Sequence, residues 1–372
     1  MKLQRTQLAA AVGAAFVVGT SAVQAQTTTP GPVSSAQPLT VQLYGQVNRA
    51  LMWADNETQN KWFFVDGQPS STRFGINALG QVAPGLRAGA RIETEIKSNP
   101  SNEVSFAVPS QGALTGDAVG FAERWLDVFF EGGWGRINLG QGSGAADDAT
   151  TIDLSGTALA NGAAIADWGG GIPFTTAGGV ATGVTPAAGI DNLDFESRYD
   201  RVMYTTPTFG GLRAQVGHGQ KAGEVTEASL RYTGKLAGEL QAAIGWSRET
   251  ATAAGQQDNE TVGGSISWLH GSGFNVTAQY SQSDLFTAGR DATHWMGKVG
   301  YKFGTHAVSI GYFVGEDQVA AGDEVTAIAL GYTWNPIRWA EVYANAIQYE
   351  LDRPAVDAND IRVFSIGSRI RF

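Results

Sequence analysis

The sequence predicts an all-β fold, a transmembrane antiparallel β-barrel of about 16 strands. The first observation is the C-terminal stretch 362–372, in which apolar and polar side chains alternate. The second is that similar segments recur along the chain. The third is that 49 glycines accompany only 16% charged residues, which is typical of many strands joined by tight turns.

The C-terminal stretch shows the two faces most clearly. Successive side chains of a strand point to opposite sides, so one face is mostly apolar and the other carries Arg369 and Arg371. A soluble sheet buries its apolar face, whereas a membrane barrel turns it to the lipid and keeps a polar lumen. The apolar face consists of Phe364, Ile366, Ser368, Ile370 and Phe372.

Segments of roughly ten residues with the same alternation begin at Val41 and continue to the C-terminus. In the third segment, Arg87, Arg91, Glu93 and Glu95 share one face. Short turns are predicted at 83–85, 132–135, 208–211, 271–273 and 335–336, and longer polar connections near 55–69, 98–118, 142–197, 250–260 and 284–292. Alternating short and long connections, with an even number of strands, indicate a closed barrel whose two ends face different compartments.

The N-terminus predicts export. A basic start, an apolar run and small residues before position 26 form a secretory signal peptide over residues 1–25. Residues 26–38 form a polar segment rich in Thr, Ser and Pro, and residues 39–372 form the barrel domain. After residue 25 no apolar run is long enough for a transmembrane helix.

Charge and cysteine content exclude several partners. The predicted signal peptide contains two of the 25 basic residues and none of the 35 acidic ones, so its removal changes the formal net charge from −10 to −12. Nucleic acid is not expected to bind so acidic a chain. The chain has no cysteine, so it has neither disulfides nor thiolate metal ligands. We expect no cofactor.

Several motifs resemble those of a Gram-negative trimeric porin of the general-diffusion type, over essentially all of 39–372. They are Leu-Tyr-Gly-Gln at 43–46, Ser-Thr-Arg-Phe-Gly-Ile-Asn at 71–77, Gly-Leu-Arg-Ala at 85–88, Glu-Arg at 123–124, Gly-Gly-Trp-Gly at 132–135, the stretch 198–212 and the terminal Phe372. The resemblance implies a homotrimer in outer-membrane lipid that passes small hydrophilic solutes. It also implies that Phe372 is the signal for the outer-membrane assembly machinery.

The stretch between Arg136 and Arg198 contains no Lys, Arg or His but seven acidic residues. A loop of this length in a compact protein is usually functional. In porins the third long loop folds into the barrel, and Asp-Trp-Gly-Gly at 167–170 resembles its acidic-aromatic segment. The predicted acidic side of the constriction is Asp147, Asp148, Asp153 and Asp167.

A basic wall is expected to face this loop. The resemblance assigns Arg73, Arg124 and Arg198 to it, with Gln46 at a position that is often Lys in relatives. Strand alternation adds Arg91 and favours Arg201 over Arg198, so both remain candidates. Alternation around Arg124 is ambiguous because both faces are apolar. Opposed carboxylates and guanidiniums across a narrow aqueous gap would select small polar solutes.

The predicted function is a water-filled passive channel with a weak cation preference. A substrate-selective channel for sugars or anions remains an alternative, as do a solvated surface position for the acidic loop and a calcium site at Asp147 and Asp148. A soluble lectin-like protein would remain in solution without detergent. The four histidines are scattered, and the Ser-x-x-Lys, Gly-x-Ser-x-Gly and His-Glu-x-x-His motifs are lacking, so an enzyme such as a membrane lipid hydrolase is not expected.

Overall fold

The computed structural model describes residues 39–110, 120–287 and 289–372, and the predicted segments 1–25 and 26–38 lie outside them. The described residues form seventeen antiparallel strand segments and three short helical turns, at Gln68–Ser70, Ile165–Asp167 and Pro186–Gly189. The strands are β1 (Leu39–Asp55), β2 (Asn60–Asp66), β3 (Arg73–Ala83), β4 (Leu86–Lys97), β5 (Gly120–Gly132), β6 (Gly135–Ser143), β7 (Arg198–Thr205), β8 (Leu212–Gln220), β9 (Glu224–Lys235), β10 (Gly238–Glu249), β11 (Asn259–His270), β12 (Phe274–Ser283), β13 (Ala292–Phe303), β14 (His306–Glu316), β15 (Glu324–Ile337), β16 (Ala340–Asp352) and β17 (Ile361–Arg371).

Seventeen segments occupy sixteen positions around the barrel because β2 and β3 share one position beside β1. The first part of β1, from Leu39 to Gln46, pairs with β3, and its second part, from Arg49 to Asp55, pairs with β2. The other side of β1 pairs with β17, which closes the sheet. A closed barrel satisfies the backbone hydrogen bonds without leaving an open edge in lipid. The prediction of a sixteen-stranded antiparallel barrel is confirmed.

Apolar side chains cover the outside of this barrel. In β13, for example, Trp295, Val299 and Tyr301 are 38–45% exposed, whereas His294 and Lys298 on the other face are buried. The alternation seen in the sequence therefore has its apolar face outward, as predicted for a barrel in lipid. Within the described ranges, no helix combines the length and hydrophobicity needed to cross a bilayer.

Two predicted connections are wrong. Residues 335–336 are not a turn, because β15 continues through them with a register shift between Trp334 and Ile337, and the chain turns at 338–339 instead. A proline can occupy such an irregularity because it has no N–H to donate to the ladder. The region 55–69 is not one polar connection, because Asn60–Asp66 forms β2 against β1.

The last residue completes the contact between the two ends of the barrel. The amide nitrogen of Phe372 donates to the carbonyl of Gly45 at 3.0 Å, and the amide of Gly45 donates back at 2.9 Å. A side chain at Gly45 would come within 2.6 Å of the Phe372 ring, so glycine is what allows the ring to lie over this strand. The ring is 65% exposed on the outward face, continuous with Ile370.

Candidate functional site

The long loop 144–197 contacts side chains from the buried face of the barrel wall. The backbone amides of Ile152 and Leu154 donate hydrogen bonds to the hydroxyls of Ser265 and Ser267 in β11, at 3.0 and 2.9 Å. Further along, Asn345 of β16 donates to the carbonyl of Ala160 at 3.1 Å. Polar wall residues therefore satisfy the loop backbone, which has few regular hydrogen bonds of its own.

A second part of the loop packs against the wall through an apolar cluster. Trp168 is 1% exposed, and its ring centroid lies 5.6 Å from that of Tyr343. Its indole N–H donates to the carbonyl of Leu159 at 2.8 Å, and the Tyr349 hydroxyl donates to the carbonyls of Ile165 and Trp168. Buried residues of the loop therefore form one packed cluster with residues of β1, β2 and β13–β17.

A cavity of about 660 Å³ lies beside the loop and is strongly acidic. It is bordered by the long-loop ends of β11 and β12, at Asn259, Thr261 and Ser283, and by Pro69. Its lining contains no Lys, Arg or His. Two of the lining acids nevertheless pair with lysines that lie outside the lining, Asp153 with Lys298 and Glu196 with Lys221. The acids that line the cavity are Asp148, Asp153, Asp167, Asp191, Asp194 and Glu196.

The structure brings three of the four predicted acids together in this cavity. Asp148 and Asp167 line it without a salt bridge in the described part of the chain, whereas Asp153 forms an ion pair with the buried Lys298. Asp147 does not line the cavity; it is buried, and its carbonyl accepts a hydrogen bond from Arg231. Asp153 therefore contributes little net charge, because the ammonium of Lys298 lies against it.

Three acids that the sequence analysis does not assign to the constriction also line the cavity. Asp191, Asp194 and Glu196 lie more than forty residues after Asp147, near the return of the loop to β7. The Asp194 carboxylate accepts hydrogen bonds from the Asp148 amide at 3.0 Å and from the Thr150 hydroxyl at 2.6 Å. These contacts bring the two ends of the loop together. The sequence feature that could have identified all three acids is the lack of basic residues throughout 137–197.

Burial changes the protonation of these acids. It raises the pKa of Asp167 to about 7, and the negative charges of Asp191 and Glu95 add to the rise. It raises the pKa of Asp194 to about 6, with a further contribution from Asp148. Burial also raises the pKa of Asp191. The ordinary pKa of an aspartate is about 3.9, so the charge of this cavity varies in the range around neutral pH.

The carboxylates of Asp147, Asp148 and Asp194 offer ligand atoms within 4.8 Å of one another. Oxygen donors of this kind suit Ca²⁺. The calcium alternative would therefore include Asp194 in addition to the two residues expected from the sequence. Acidic groups commonly lie this close without an ion, so their proximity alone does not assign a calcium site.

Arginines gather on the wall formed by β3, β5, β7 and β17. Arg73 lies within electrostatic range of Arg124, Arg198 and Arg369. The guanidiniums of Arg73 and Arg369 both donate to the Ser70 hydroxyl at 2.9 Å, next to Pro69 at the cavity border. The basic residues assigned by resemblance thus form one cluster beside the acidic cavity.

Carboxylates of the wall neutralise part of this cluster. Arg124 donates to Glu93 at 2.7 Å and to Glu95 at 3.0 Å, and Arg91 donates to Glu93 at 2.6 Å. Arg73 and Arg198, in contrast, have no carboxylate within salt-bridge distance among the described residues. The free positive charge of the wall is therefore concentrated at these two positions.

The ambiguity around Arg124 has a structural cause. Glu93 pairs with Trp125 but Thr94 pairs with Glu123, so Arg124 is an extra residue in a bulge of β5. A bulge places two successive side chains on the same face. Arg124 and Trp125 both face the side that holds Arg91, whose guanidinium lies 4.1 Å from the Trp125 ring centroid.

Arg201 and Arg198 occupy different positions in β7. Arg201 is fully buried, donates to Asp127 at 3.2 Å and is therefore part of the wall structure. Arg198 begins the strand, and its Nε is buried without a hydrogen-bond partner among the described residues.

Gln46, at the position that is often Lys in relatives, has a structural role. Its side-chain amide donates to the carbonyls of Ser70 and Ser71 at 3.0 and 2.7 Å and so stabilises the turn after β2.

An apolar outer surface around a closed sheet with a charged interior cavity defines a β-barrel channel protein. A family model described as Gram-negative porin matches residues 9–353, and the chain belongs to this family. It is a multi-pass barrel of the outer membrane of a Gram-negative bacterium. Family and fold are those of a channel rather than of an enzyme. No curated protein matches the sequence.

Solved structures share the fold at low sequence identity. The anion-selective porin from Comamonas acidovorans is 18% identical, with a TM-score of 0.62 over 90% of this chain and 100% of its own. Salmonella typhi OmpF in complex with daunomycin is 14% identical, with a TM-score of 0.60 over 89% and 97%. The trimer form of OmpT, an outer membrane protein of Vibrio cholerae, is 16% identical, with a TM-score of 0.57 over 90% and 99%.

Proposed function

We propose that the protein is a water-filled channel for passive diffusion of small hydrophilic solutes and ions, with a weak cation preference and no enzymatic activity. Loop 144–197 narrows the lumen in this proposal, because its contacts with side chains of the buried wall face leave the solvent-accessible space beside it. The observation that carries the cation preference is the acidic cavity, whose lining has six carboxylates and no basic side chain. Fixed negative charge in a narrow wet gap concentrates cations.

The proposal also includes the oligomeric state, export and assembly of the channel. The trimer form of the Vibrio cholerae neighbour supports a homotrimer in outer-membrane lipid. Cleavage after residue 25 would supply the exported chain, and the exposed aromatic end at Phe372 suits recognition by the assembly machinery. An anion-selective channel is the second candidate, because Arg73 and Arg198 lack carboxylate partners in the described chain.

A salt-gradient recording in a planar bilayer tests the selectivity. We expect a reversal potential of the cation-selective sign at pH 8, reduced by Asp148→Asn, because this variant removes one unpaired charge from the cavity. Asp148 has φ +66°, a left-handed conformation that asparagine also adopts readily, so the backbone should be preserved. Glu239→Gln, an exposed charge on β10 outside the cavity, is the control. A reversal potential of the anion-selective sign would favour the second candidate.

The selectivity should depend on pH in a defined direction. Asp167, with a pKa of about 7, and Asp194, with a pKa of about 6, bind protons as the pH falls from about 8 to 5, so the cavity loses negative charge. We therefore expect the cation preference to decrease over this range. In the Asp167→Asn variant, the part of this decrease that occurs around pH 7 should be absent, because the group that binds the proton there has been removed. A preference that stays constant from pH 8 to 5 contradicts the proposed position of these carboxylates in the conducting path.

A further inference from the structure

A second cavity, of about 520 Å³, lies at the opposite end of the barrel wall. Its lining residues adjoin the short turns 83–86 and 132–135, whereas the acidic cavity adjoins the long-loop ends of β11 and β12. Three arginines and one glutamate line it: Arg87, Arg91, Arg136 and Glu131. This basic vestibule, as we name the cavity lined by these four residues, has a formal charge of opposite sign to the acidic cavity.

Aromatic rings hold two of the guanidiniums in place. The Arg136 guanidinium lies 3.6 Å from the centroid of the Phe129 ring, and Arg91 lies 4.1 Å from that of Trp125. Stacking of this kind fixes the guanidinium plane while its N–H groups stay at the edge. The Arg136 Nε donates to Asn138 at 3.0 Å, which further restricts its orientation.

Arg91 is paired with Glu93, so the free charge of the vestibule comes from Arg87 and Arg136, which Glu131 neutralises only in part. Glu131 pairs with Arg87 at 2.7 Å and lies 3.7 Å from Arg136, so one carboxylate serves two guanidiniums. Arg87 is 59% exposed in its side chain and Arg136 is 35% exposed, so both are open to solutes in the lumen. Neutral hydrogen-bonding side chains, Gln42 and Asn77, complete the wall.

We propose that the basic vestibule binds small organic anions that carry carboxylate groups, at the short-turn mouth of the channel. The planar guanidinium donates two parallel hydrogen bonds to a carboxylate, and a second carboxylate of the same solute can engage the neighbouring arginine. The proposal rests on the proposed channel function, because the solute must reach the lumen. It implies a channel with a binding site at one mouth and a cation-concentrating cavity at the other.

Asymmetric block of the ion current by citrate tests this proposal. In purified full-length protein in a planar bilayer, we expect citrate to reduce the KCl current at about tenfold lower concentration from the short-turn side than from the long-loop side. Sidedness is assigned with Gly133→Cys in the 132–135 turn, where a side chain meets no atom within 4 Å. The chain has no other cysteine, so a membrane-impermeant thiol reagent labels this turn alone.

The double variant Arg87→Gln/Arg136→Gln should remove the side difference while the channel still conducts KCl. Arg338→Gln removes an exposed arginine from another turn at the same end and should leave the difference intact. Equal block of the wild type from both sides overturns the proposal without any variant, as does unchanged asymmetry in the double variant. A wild type that conducts no KCl overturns the proposed channel function instead, so the two failures are distinguishable.

Discussion

Lys298→Met is expected to destabilise the attachment of loop 144–197 by about 3–5 kcal/mol, the usual cost of removing one partner from a buried ion pair. The Lys298 side chain is fully buried, and that of Asp153 is 5% exposed. The ammonium also donates to the carbonyl of Asn161 at 2.5 Å, so it joins two separate parts of the loop to β13. Its loss leaves the Asp153 carboxylate without its cation, with the Ser155 amide still donating to it, and leaves the Asn161 carbonyl without the ammonium. We expect faster proteolysis of the loop and greater noise in the single-channel current.

The double variant Lys298→Met/Asp153→Asn is the matched control. The amide at position 153 is uncharged, so burying it without a cation costs much less than burying an unpaired carboxylate. It should recover part of the loss in protease resistance and current stability. If the single and double variants behave alike, the ion pair is not what holds the loop, and the hydroxyl contacts of Ser265 and Ser267 become the main attachment.

Trp168→Ala is expected to cost about 3–5 kcal/mol, because it removes a large buried side chain and leaves a cavity. The indole is 1% exposed, packs on Tyr343 and donates to the Leu159 carbonyl, so its removal also leaves that carbonyl without a donor. The loop should separate from the wall near β16 and β17. We expect a larger and more variable single-channel conductance and a lower thermal unfolding temperature.

An exposed tryptophan supplies the comparison for this variant. Trp339 lies in the 338–339 turn and is 53% exposed, so Trp339→Ala should leave the conductance distribution unchanged. A Trp168→Ala channel with wild-type conductance and unfolding temperature would contradict the packed cluster as an anchor of the loop. The variant retains the main-chain carbonyl that accepts from Tyr349, so the test isolates the indole.

The strands were predictable because their signal is local. Alternation in β13 or β17 follows from the backbone geometry of each strand, and lipid outside the barrel requires an apolar face on every one of them. The errors fall where the backbone departs from regular alternation. The bulge at Arg124 makes its orientation ambiguous in the sequence, and Asn-Pro within the irregularity at Trp334–Ile337 resembles a turn.

The site was less predictable because its charges are paired across long sequence distances. The acidic composition of the loop indicated a carboxylate-rich surface, and Asp148 and Asp167 do line the cavity. Nothing in the sequence near Asp153 indicates Lys298, which is 145 residues away. No sequence pattern distinguishes Asp147, which is buried and does not line the cavity, from its neighbour Asp148, which does.

The sequence by itself determined that the chain forms a lipid-facing barrel of sixteen strands and that one long loop carries only negative charge. Local periodicity and composition suffice for both. Only the tertiary structure decided which of those charges are free, which are paired, and where the two cavities lie. Ion pairing and desolvation depend on distances between side chains from different strands, and closure of the barrel sets those distances.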